Sequence, residues 1–475
     1  MQSENNNFGG GVAATLLHPA VAVAMVIIVV LTFLLPRKYV IFPFLLGTVL
    51  IPLPQELYIA GAHLFVFRIL ILSGCLRMLW AKLSSKIPIF VGGLNAVDRL
   101  FFSWAIFRAA APIILFHFAS GALVYQIGGI WDEIGGYFLL RYLIQDEADL
   151  FRAIKAFVPI VAILSVTMLG EKIIHQNVIG YLGGIPVTID IREGAIRSHG
   201  SFAVSITAGA FGATLLCLFA LLWKNTDSKL VAIVGLIGAS IITATSASST
   251  PVLAYGAGIL AICLWPVRDR MRPIRIGLVV MLVGLHLVMK APVWFLIAHV
   301  DMVAGNSGYH RAMLIDTFVR HFWDWWLIGT DDAINWGFDM WDLSNQFVAE
   351  GETGGVIVFV LFIAIISKSF GRIGTARKMV RGNSKKEWLL WLLGAALFSN
   401  CVAYFGISYF DQVKISWYVL LVMITVATGP ILSAEKLESA GAHGLLPYSK
   451  LGMAKPSRSV AASSRMATPV RSRSR

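Results

Sequence analysis

Stretches of about twenty apolar residues recur along nearly the whole chain, and they constrain its fold more than any other feature. A helix of about 20 apolar residues crosses the hydrocarbon core of a bilayer. Of the 475 residues, 57% are hydrophobic and 14% are charged, whereas roughly 25% are charged in soluble domains. The sequence therefore predicts an all-α, polytopic membrane protein. It predicts about thirteen transmembrane helices, near residues 17–35, 39–53, 57–76, 99–118, 122–142, 153–170, 202–222, 230–247, 251–266, 275–298, 354–369, 388–407 and 415–432.

Lysine and arginine collect in alternate loops, and this asymmetry predicts the orientation. If the spans alternate, six basic stretches share one side of the membrane with the chain after 435. They are 37–38, 77–86, 152–155, 224–229, 268–275 and 368–386. The positive-inside rule assigns that side to the cytoplasm, so the net charge of +13 does not indicate a nucleic-acid partner. The predicted organisation is an N-terminal transmembrane bundle (1–298) with a small external loop (171–201), a large external loop (299–353), C-terminal transmembrane helices (354–432) and a basic, disordered cytosolic tail (433–475).

Two arginines fall near the middle of predicted spans. A charge there costs roughly 2.5 to 3.5 kcal/mol on insertion scales, so Arg68 and Arg108 must face something polar. They either line a cavity for an anionic head group, or they have a buried partner or reach the cytoplasmic edge. Arg141 lies at a predicted cytoplasmic end with Asp146 and Glu147 close behind it, which favours a structural role.

The small external loop contains TIDIREGAIRSHGSF, with Arg192 and Arg197 among Gly194 and Gly200. The glycines permit tight turns and close approach to a ligand. Two arginines at the edge of the next span could present forked donors to phosphate. The alternative is simple anchoring at the membrane interface, and for one isolated loop that interpretation is favoured.

The large external loop is the longest polar interruption, and between His299 and Gly355 it holds nine carboxylates against two arginines. Apolar residues recur at helical spacing from Tyr309 to Trp326, at Ile315, Phe318, Phe322 and Trp325. This spacing predicts an amphipathic helix, which we expect to lie against the membrane surface. Arg320 stands four residues from both Asp316 and Asp324, so surface ion pairs account for it.

Arg311 differs from Arg320, because residues 307, 308, 314 and 315 are Ser, Gly, Leu and Ile. No acidic residue therefore stands at helical spacing from it, and it lies on the apolar stripe, where an anion from elsewhere would complement it. Four acidic residues lie near the point where the loop re-enters the membrane, a suitable place for a general base: Asp339, Asp342, Glu350 and Glu352. His310 and His321 are interpreted as polar surface residues.

Together these features resemble the O-antigen ligase and O-antigen polymerase family of bacterial membrane glycosyltransferases. The resemblance rests on one large external loop before the last three spans, an arginine opening its helix (Arg311), the WLIG turn, and an Asn-anchored segment through E-x-G into a span (Asn345 to Gly354). Arginines such as Arg192 or Arg197 also fit the family. Ser344 stands where the family's ligases typically carry His, which leaves the identity of the base open.

The resemblance implies an enzyme of the bacterial inner membrane whose active loop faces the periplasm. Its donor would be undecaprenyl-diphosphate-linked glycan and its acceptor a glycan or lipid, with no metal or other cofactor. Arg311, Arg192 and Arg197 would hold the diphosphate, and Asp342 or Asp339 would deprotonate the acceptor hydroxyl. Supporting roles fall to Asn345 and Glu352. Other membrane proteins of glycan assembly are further expected partners.

Three alternatives stay open at this point. The enzyme could act as a polymerase or as a ligase in O-antigen or exopolysaccharide synthesis. A many-span protein with intramembrane arginines could instead be a transporter or lipid-glycan flippase, although the chain lacks paired broken segments in corresponding halves. A scaffold for a glycan-assembly complex is the third.

Overall fold

The computed structural model describes residues 14–59, 62–84, 89–225, 229–299, 307–337 and 339–442. The protein is mostly helical, with 77% helix and 4% strand. Its helices are α1 (Pro19–Leu34), α2 (Arg37–Leu50), α3 (Val66–Ser84), α4 (Ala96–Leu115), α5 (Ser120–Ile130), α6 (Gly136–Leu143), α7 (Glu147–Ile174), α8 (Ser205–Asn225), α9 (Lys229–Thr245), α10 (Ser249–Cys263), α11 (Met271–Val288), α12 (Ser307–Arg320), α13 (Phe322–Trp325), α14 (Gln346–Met379), α15 (Ser384–Tyr404) and α16 (Val413–Ala442). A π-helical turn, Trp131–Gly135, joins α5 to α6.

The described residues also form two antiparallel hairpins, β1–β2 and β3–β4. Their strands are β1 (Glu56–Ile59), β2 (Ala62–Phe65), β3 (Asp190–Arg192) and β4 (Ala195–Arg197). The span predicted at 57–76 is therefore wrong in its first half, because α3 begins only at Val66. A polar contact explains the difference, since Glu56 Oε1 lies 2.9 Å from His63 Nδ1 across the first hairpin.

Six helices of the described chain are long and apolar enough to cross a membrane. They lie within Glu147–Ile174, Ser205–Lys224, Trp265–Val288, Gln346–Met379, Ser384–Tyr404 and Val413–Ala434. Three shorter apolar helices accompany them, at Pro19–Leu34, Lys229–Thr245 and Ser249–Cys263. None of the residues of α11 is buried, although the helix is strongly apolar. Such an exposed apolar surface is compatible with contact to lipid in a multi-pass membrane protein.

The connections between helices gather at two ends of the bundle. One end carries β3–β4, residues 307–337 and 339–345, and the connection 405–412, and we call it the loop end. Backbone and side-chain hydrogen bonds tie it together, such as Ser198 N to Thr245 O (3.1 Å) and Thr250 Oγ1 to Gly406 O (3.1 Å). We call the basic end the one that carries the connections 89–95, 144–146, 264–270 and 380–383. There Arg268 lies 3.2 Å from Glu387.

The region between α11 and α14 packs onto the first turns of α14. Phe318 stacks on Trp325 with ring centroids 4.0 Å apart, and both belong to an apolar cluster with Val348 of α14. The apolar stripe predicted for the membrane surface is thus covered largely by the protein itself. Gly355, at φ +69°, lies so close to the turn before it that a β-carbon would be 2.6 Å from Leu327 O. The glycines before the span therefore permit this close approach.

The end of the chain departs from the predicted boundary at residue 433. Helix α16 continues to Ala442, so the first ten residues of the predicted tail are helical. Residues 443–475 lie outside the described residues, as do residues 300–306 of the predicted large loop.

Candidate functional site

Arg68 and Arg108, which the sequence places in predicted spans, both have acidic partners in the π-helical turn Trp131–Gly135. Nε and Nη2 of Arg68 each donate to Asp132 at 3.0 Å, in a bidentate pair. Arg108 Nη1 donates to Glu133 Oε1 at 2.7 Å. Of the two interpretations of these arginines, the structure favours the buried partner over a cavity for an anionic head group.

The pair Arg108–Glu133 belongs to a larger buried charge cluster. Glu350 of α14 is fully buried, lies 3.6 Å from Arg108 and accepts a hydrogen bond from Trp104 Nε1 at 2.8 Å. Lys414 of α16 lies 4.0 Å from Glu133. The two cations and two carboxylates cancel, so this cluster joins α4, the π-helical turn, α14 and α16 without a net charge. Glu350 lies close to the proposed general bases in the sequence, but its carboxylate pairs with Arg108 and Trp104 inside this cluster.

Hairpin β3–β4 determines where Arg192 and Arg197 lie. Glu193 and Gly194 connect the strands with φ angles of +52° and +77°, as the favoured two-residue hairpin turn requires. Asp190 pairs with Arg197 and Arg192 pairs with Ala195. Successive side chains of a strand alternate between its faces. These four residues therefore share one face of the hairpin, and all four line the same cavity.

Arg197 is held in place before any ligand binds. Its Nη2 donates to Ser248 Oγ at 2.6 Å, and its Nη1 lies 3.6 Å from Asp190 Oδ2. Burial lowers the pKa of the Arg197 guanidinium below its ordinary value, the neighbouring Arg192 lowers it further, and Asp190 partly offsets both effects. A guanidinium titrates so far above neutral pH that it stays charged. Arg197 is thus an oriented cation whose environment favours additional negative charge.

Arg311, on the first turns of α12, lines the same cavity. It is 7% exposed, in agreement with its predicted position on the buried stripe. Arg320, on the same helix, lies 2.6 Å from Asp316, is 71% exposed and does not line the cavity. The two arginines of α12 therefore have different environments, as their sequence neighbours predicted.

The segment before α14 brings both proposed carboxylates to the cavity. Asp339 and Asp342 line it, and the amide of Asp342 donates to Asp339 O at 3.3 Å. His310 Nε2 lies 2.9 Å from the same carbonyl oxygen. A carbonyl only accepts, so Nε2 carries the proton and Nδ1 is left as an acceptor. His310 lines the cavity and is a candidate that the sequence interpretation passed over.

This loop-end cavity has a volume of about 880 Å³. Its charged lining consists of three arginines and three aspartates, two of which are the proposed bases. Aromatic side chains form part of the wall: Tyr309, Trp336, Trp341 and Phe410. Among the residues with described positions, no group of three or more His, Cys, Asp or Glu could hold a metal ion. The arrangement can bind an anion through guanidinium groups while presenting a proton acceptor nearby.

Asn345 and Glu352, proposed as supporting residues, do not line the cavity. Asn345 caps α14, because its Oδ1 accepts from the amides of Phe347 (2.9 Å) and Val348 (3.2 Å). It thereby starts the helix directly after Ser344, which does line the cavity. Glu352 lies farther along α14, where its backbone carbonyl accepts from the amide of Thr330 at 2.8 Å.

Asp411 does not line the cavity, but it connects two segments that do. Its Oδ2 accepts from the amide of Ala203 at 2.6 Å, beside the wall formed by residues 204–206, while its neighbour Phe410 lines the cavity. Burial raises the pKa of the Asp411 carboxyl to about 6, an effect that these hydrogen bonds only partly offset.

Sequence reasoning could not find Ser248, because its contact with Arg197 spans 51 residues and has no local signal. Tyr309 and His310, by contrast, directly precede Arg311 on the same helical turn, and that adjacency was the available signal. No family model, no curated protein and no solved structure matches the chain.

Proposed function

We propose that this protein is a membrane glycosyltransferase that uses undecaprenyl-diphosphate-linked glycan as donor in surface polysaccharide synthesis. The proposal rests on one observation, which is that residues distant in the sequence line the same cavity. Arg192 and Arg197 of β3–β4, Arg311 of α12 and the carboxylates of Asp339 and Asp342 line one cavity, although they come from two separate stretches of the chain. The residues that a diphosphate-linked donor and a hydroxyl acceptor would require thus lie together.

The arginines would act on the donor side of the reaction. Guanidinium forks match phosphate oxygens in pairs, and such charge-assisted hydrogen bonds are about twice as strong as neutral ones. As the bond between the sugar and the diphosphate breaks, its electron pair leaves with the diphosphate. Fixed donors aimed at that developing charge usually make the largest single contribution to catalysis. Arg197, already oriented by Ser248, and the buried Arg311 fit this role.

A carboxylate would act on the acceptor side. It would take the proton of the acceptor hydroxyl while that oxygen attacks the sugar carbon from the face opposite to the diphosphate, which inverts the configuration in one displacement. Asp342 and Asp339 are the proposed bases. Nδ1 of His310 is a third candidate, and it would accept the proton within the same cavity.

The charge distribution supports a location on the outer side of the bacterial inner membrane. Basic loops occupy the opposite end of the bundle, the end that the positive-inside rule assigns to the cytoplasm. The loop-end cavity would then open to the periplasm, where the lipid-linked donor is presented. About thirteen crossings, as predicted from the sequence, would give this orientation.

The first test is the size distribution of lipid-linked glycans in cells that lack the protein. Accumulation of single lipid-linked repeat units would identify a polymerase. Accumulation of long lipid-linked chains together with a bare final acceptor would identify a ligase. An unchanged lipid-linked pool would contradict the glycosyltransferase proposal and favour the transporter.

The second test isolates Arg311 in purified protein supplied with lipid-linked donor and acceptor. Arg311→Ala is expected to reduce transfer by roughly 100- to 1,000-fold, as removal of a donor to developing charge does. Arg311→Lys keeps the charge but loses the fork, so its loss should be smaller. Arg320→Ala is the matched control on the same helix, with an expected change under about threefold because Arg320 is 71% exposed and does not line the cavity. Full transfer by both Arg311 variants would refute the clamp.

The same assay separates the competing functions. A transporter moves the lipid-linked glycan without forming a glycosidic bond, so purified protein would give no transfer product. A scaffold would give normal glycan in cells that carry Arg311→Ala and abnormal glycan only after deletion of the whole protein.

A further inference from the structure

A second large cavity lies at the basic end of the bundle, where neither the sequence interpretation nor the proposed reaction assigns a site. Its volume is about 830 Å³, and the connection 91–95 and the helices α4, α6, α14 and α16 form its walls. Both cavities touch α14, at Ser344 just before the helix and at Lys368 within it. Helix α14 is kinked at Gly354 and Gly355, and the helical stretch from 356 to 368 alone spans roughly 18 Å at 1.5 Å per residue. The basic-end cavity is therefore a separate site.

The charge of this cavity is one-sided. Four cations line it, Arg99, Arg141, Lys368 and Arg372, and no carboxylate of the described residues does. The loop-end cavity differs in this respect, because its three arginines face three aspartates. Walls that carry several cations without acids concentrate anions.

Arg141 is the most informative of the four, because it is buried and only partly satisfied. It is 3% exposed, and its Nη2 donates to Val91 O at 3.0 Å. Neither Nε nor Nη1 has a hydrogen-bond acceptor among the described residues. The carboxylate closest to it, Asp98 at 3.7 Å, already accepts from Tyr137 Oη at 2.8 Å. The sequence suggested Asp146 and Glu147 as the acids near Arg141, so the observed partner differs.

The other cations surround the same space with different degrees of exposure. Arg372 is held by a hydrogen bond from its Nε to Thr428 Oγ1 at 3.1 Å. Arg99 and Lys368 are exposed and form the rim. A buried donor that lacks an acceptor costs free energy, and an oxyanion in the cavity would remove that cost while neutralising the rim. The buried Arg141 and the partly buried Arg372, behind two exposed cations, suit a ligand with more than one negative charge.

We propose that the basic-end cavity binds a ligand that carries two phosphate groups. Arginine donates in pairs to phosphate oxygens. Basic pockets between transmembrane helices on the cytoplasmic side bind the head groups of multiply charged lipids. Such a ligand is either a two-phosphate lipid head group or a soluble diphosphate, which share this chemistry. The proposal rests on the lining of this cavity alone, so it stands or fails independently of the proposed glycosyltransferase activity.

The experiment uses the full chain in nanodiscs of phosphatidylcholine at constant ionic strength. The lipid probe is cardiolipin added to the nanodisc, and the soluble probe is inorganic diphosphate added to the buffer. Binding is measured as a dissociation constant and as a shift in melting temperature. The test variant is Arg99→Ala/Lys368→Ala, because the exposed rim can be changed without folding risk. Arg141→Ala, in contrast, would leave Asp98 buried beside no cation.

The matched control is Lys385→Ala/Lys386→Ala, which removes the same charge from exposed residues of the same end that do not line the cavity. A rim cation that contacts the bound phosphate groups contributes about fivefold to binding, so the rim variant should weaken binding roughly 25-fold. The control lysines do not line the cavity and act on a bound anion only through screening solvent, so their removal should change binding less than about threefold.

Each outcome decides the proposal. Selective weakening for cardiolipin alone identifies a lipid head group, and selective weakening for inorganic diphosphate identifies a soluble ligand. Equal weakening in the rim variant and the control would mean general surface charge and would overturn the proposal. Absence of binding of both probes to the wild-type protein would overturn it as well.

Discussion

Glu133→Gln is expected to destabilise the protein strongly, because it removes one charge from the buried cluster. Glu133 is 3% exposed, and its Oε1 lies 2.7 Å from Arg108 and 4.0 Å from Lys414. Glutamine has nearly the same size but no charge, so two cations would face the single carboxylate of Glu350. Removing one partner of a buried ion pair costs about 3 to 5 kcal/mol. The side chain of Arg108 is still 25% exposed, so we expect the lower end, about 3 kcal/mol.

The charge balance of the cluster leads to a second prediction. The double variant Arg108→Gln/Glu133→Gln removes one charge of each sign, so the remaining Lys414 and Glu350 still cancel. Its cost should therefore be less than the sum of the two single variants by about 0.5 to 3 kcal/mol, the usual size of coupling between contacting residues.

The assay is thermal unfolding of the purified full chain in mild detergent, followed by tryptophan fluorescence. The chain has 14 tryptophans, so their summed fluorescence follows unfolding of the whole molecule. Glu133→Gln should lower the melting temperature by a few degrees. Glu147→Gln, an exposed position in the first turn of α7, is the control and should change the stability by about 0.5 kcal/mol or less. A wild-type melting temperature for Glu133→Gln, or strictly additive effects in the double variant, would refute the reasoning.

Three other positions give independent tests of the structure. Gly355→Ala should lower the melting temperature by several degrees, because Gly355 has a φ of +69° and its β-carbon would lie 2.6 Å from Leu327 O. Gly374→Ala, on the same helix, meets open space and should not lower it. Equal melting temperatures of the two variants would contradict the fold. Asn345→Ala should cost about 1 kcal/mol by removing the cap of α14, and Asn345→Ser, which keeps a capping oxygen without adding a charge, should cost less. Equal losses in thermal unfolding would contradict the cap. Asp411 has a folded-state pKa of about 6 against an ordinary 3.8, so the folded protein holds its proton longer than the unfolded chain, and stability should fall as pH rises from about 4 to about 6. Asp411→Asn should lose this decline, and parallel plots of melting temperature against pH for the two proteins would contradict it.

Local sequence patterns predicted the parts of the site that depend on neighbours along the chain. The environment of Arg311 followed from the lack of acids at helical spacing, and that of Arg320 followed from Asp316 four residues before it. The requirement that Arg68 and Arg108 face something polar was also a local inference, because a charge in an apolar span needs compensation. The structure supplied the partners in both cases, Asp132 and Glu133, which the apolar pattern around them did not single out.

Other expectations failed where local patterns were ambiguous. The stretch 57–76 is apolar enough for a span, yet Glu56 and His63 pair across a hairpin, so α3 starts later. The stripe of α12 matched a helix at a membrane surface equally well, but it packs against α14. An apolar face predicts that something covers it, and it does not predict whether lipid or protein does so.

The sequence by itself therefore determined the helical, membrane-compatible composition, the basic bias of one set of loops and the residue types available to each loop. Only the tertiary structure decided that Arg192 and Arg197 meet Arg311 in one cavity across more than a hundred residues, that Ser248 orients Arg197, and that Arg141 faces a second, cationic cavity. The physical reason is that hydrophobic patterning is short-ranged and drives burial without choosing a partner. Which helices become neighbours depends on the fit of their surfaces to each other.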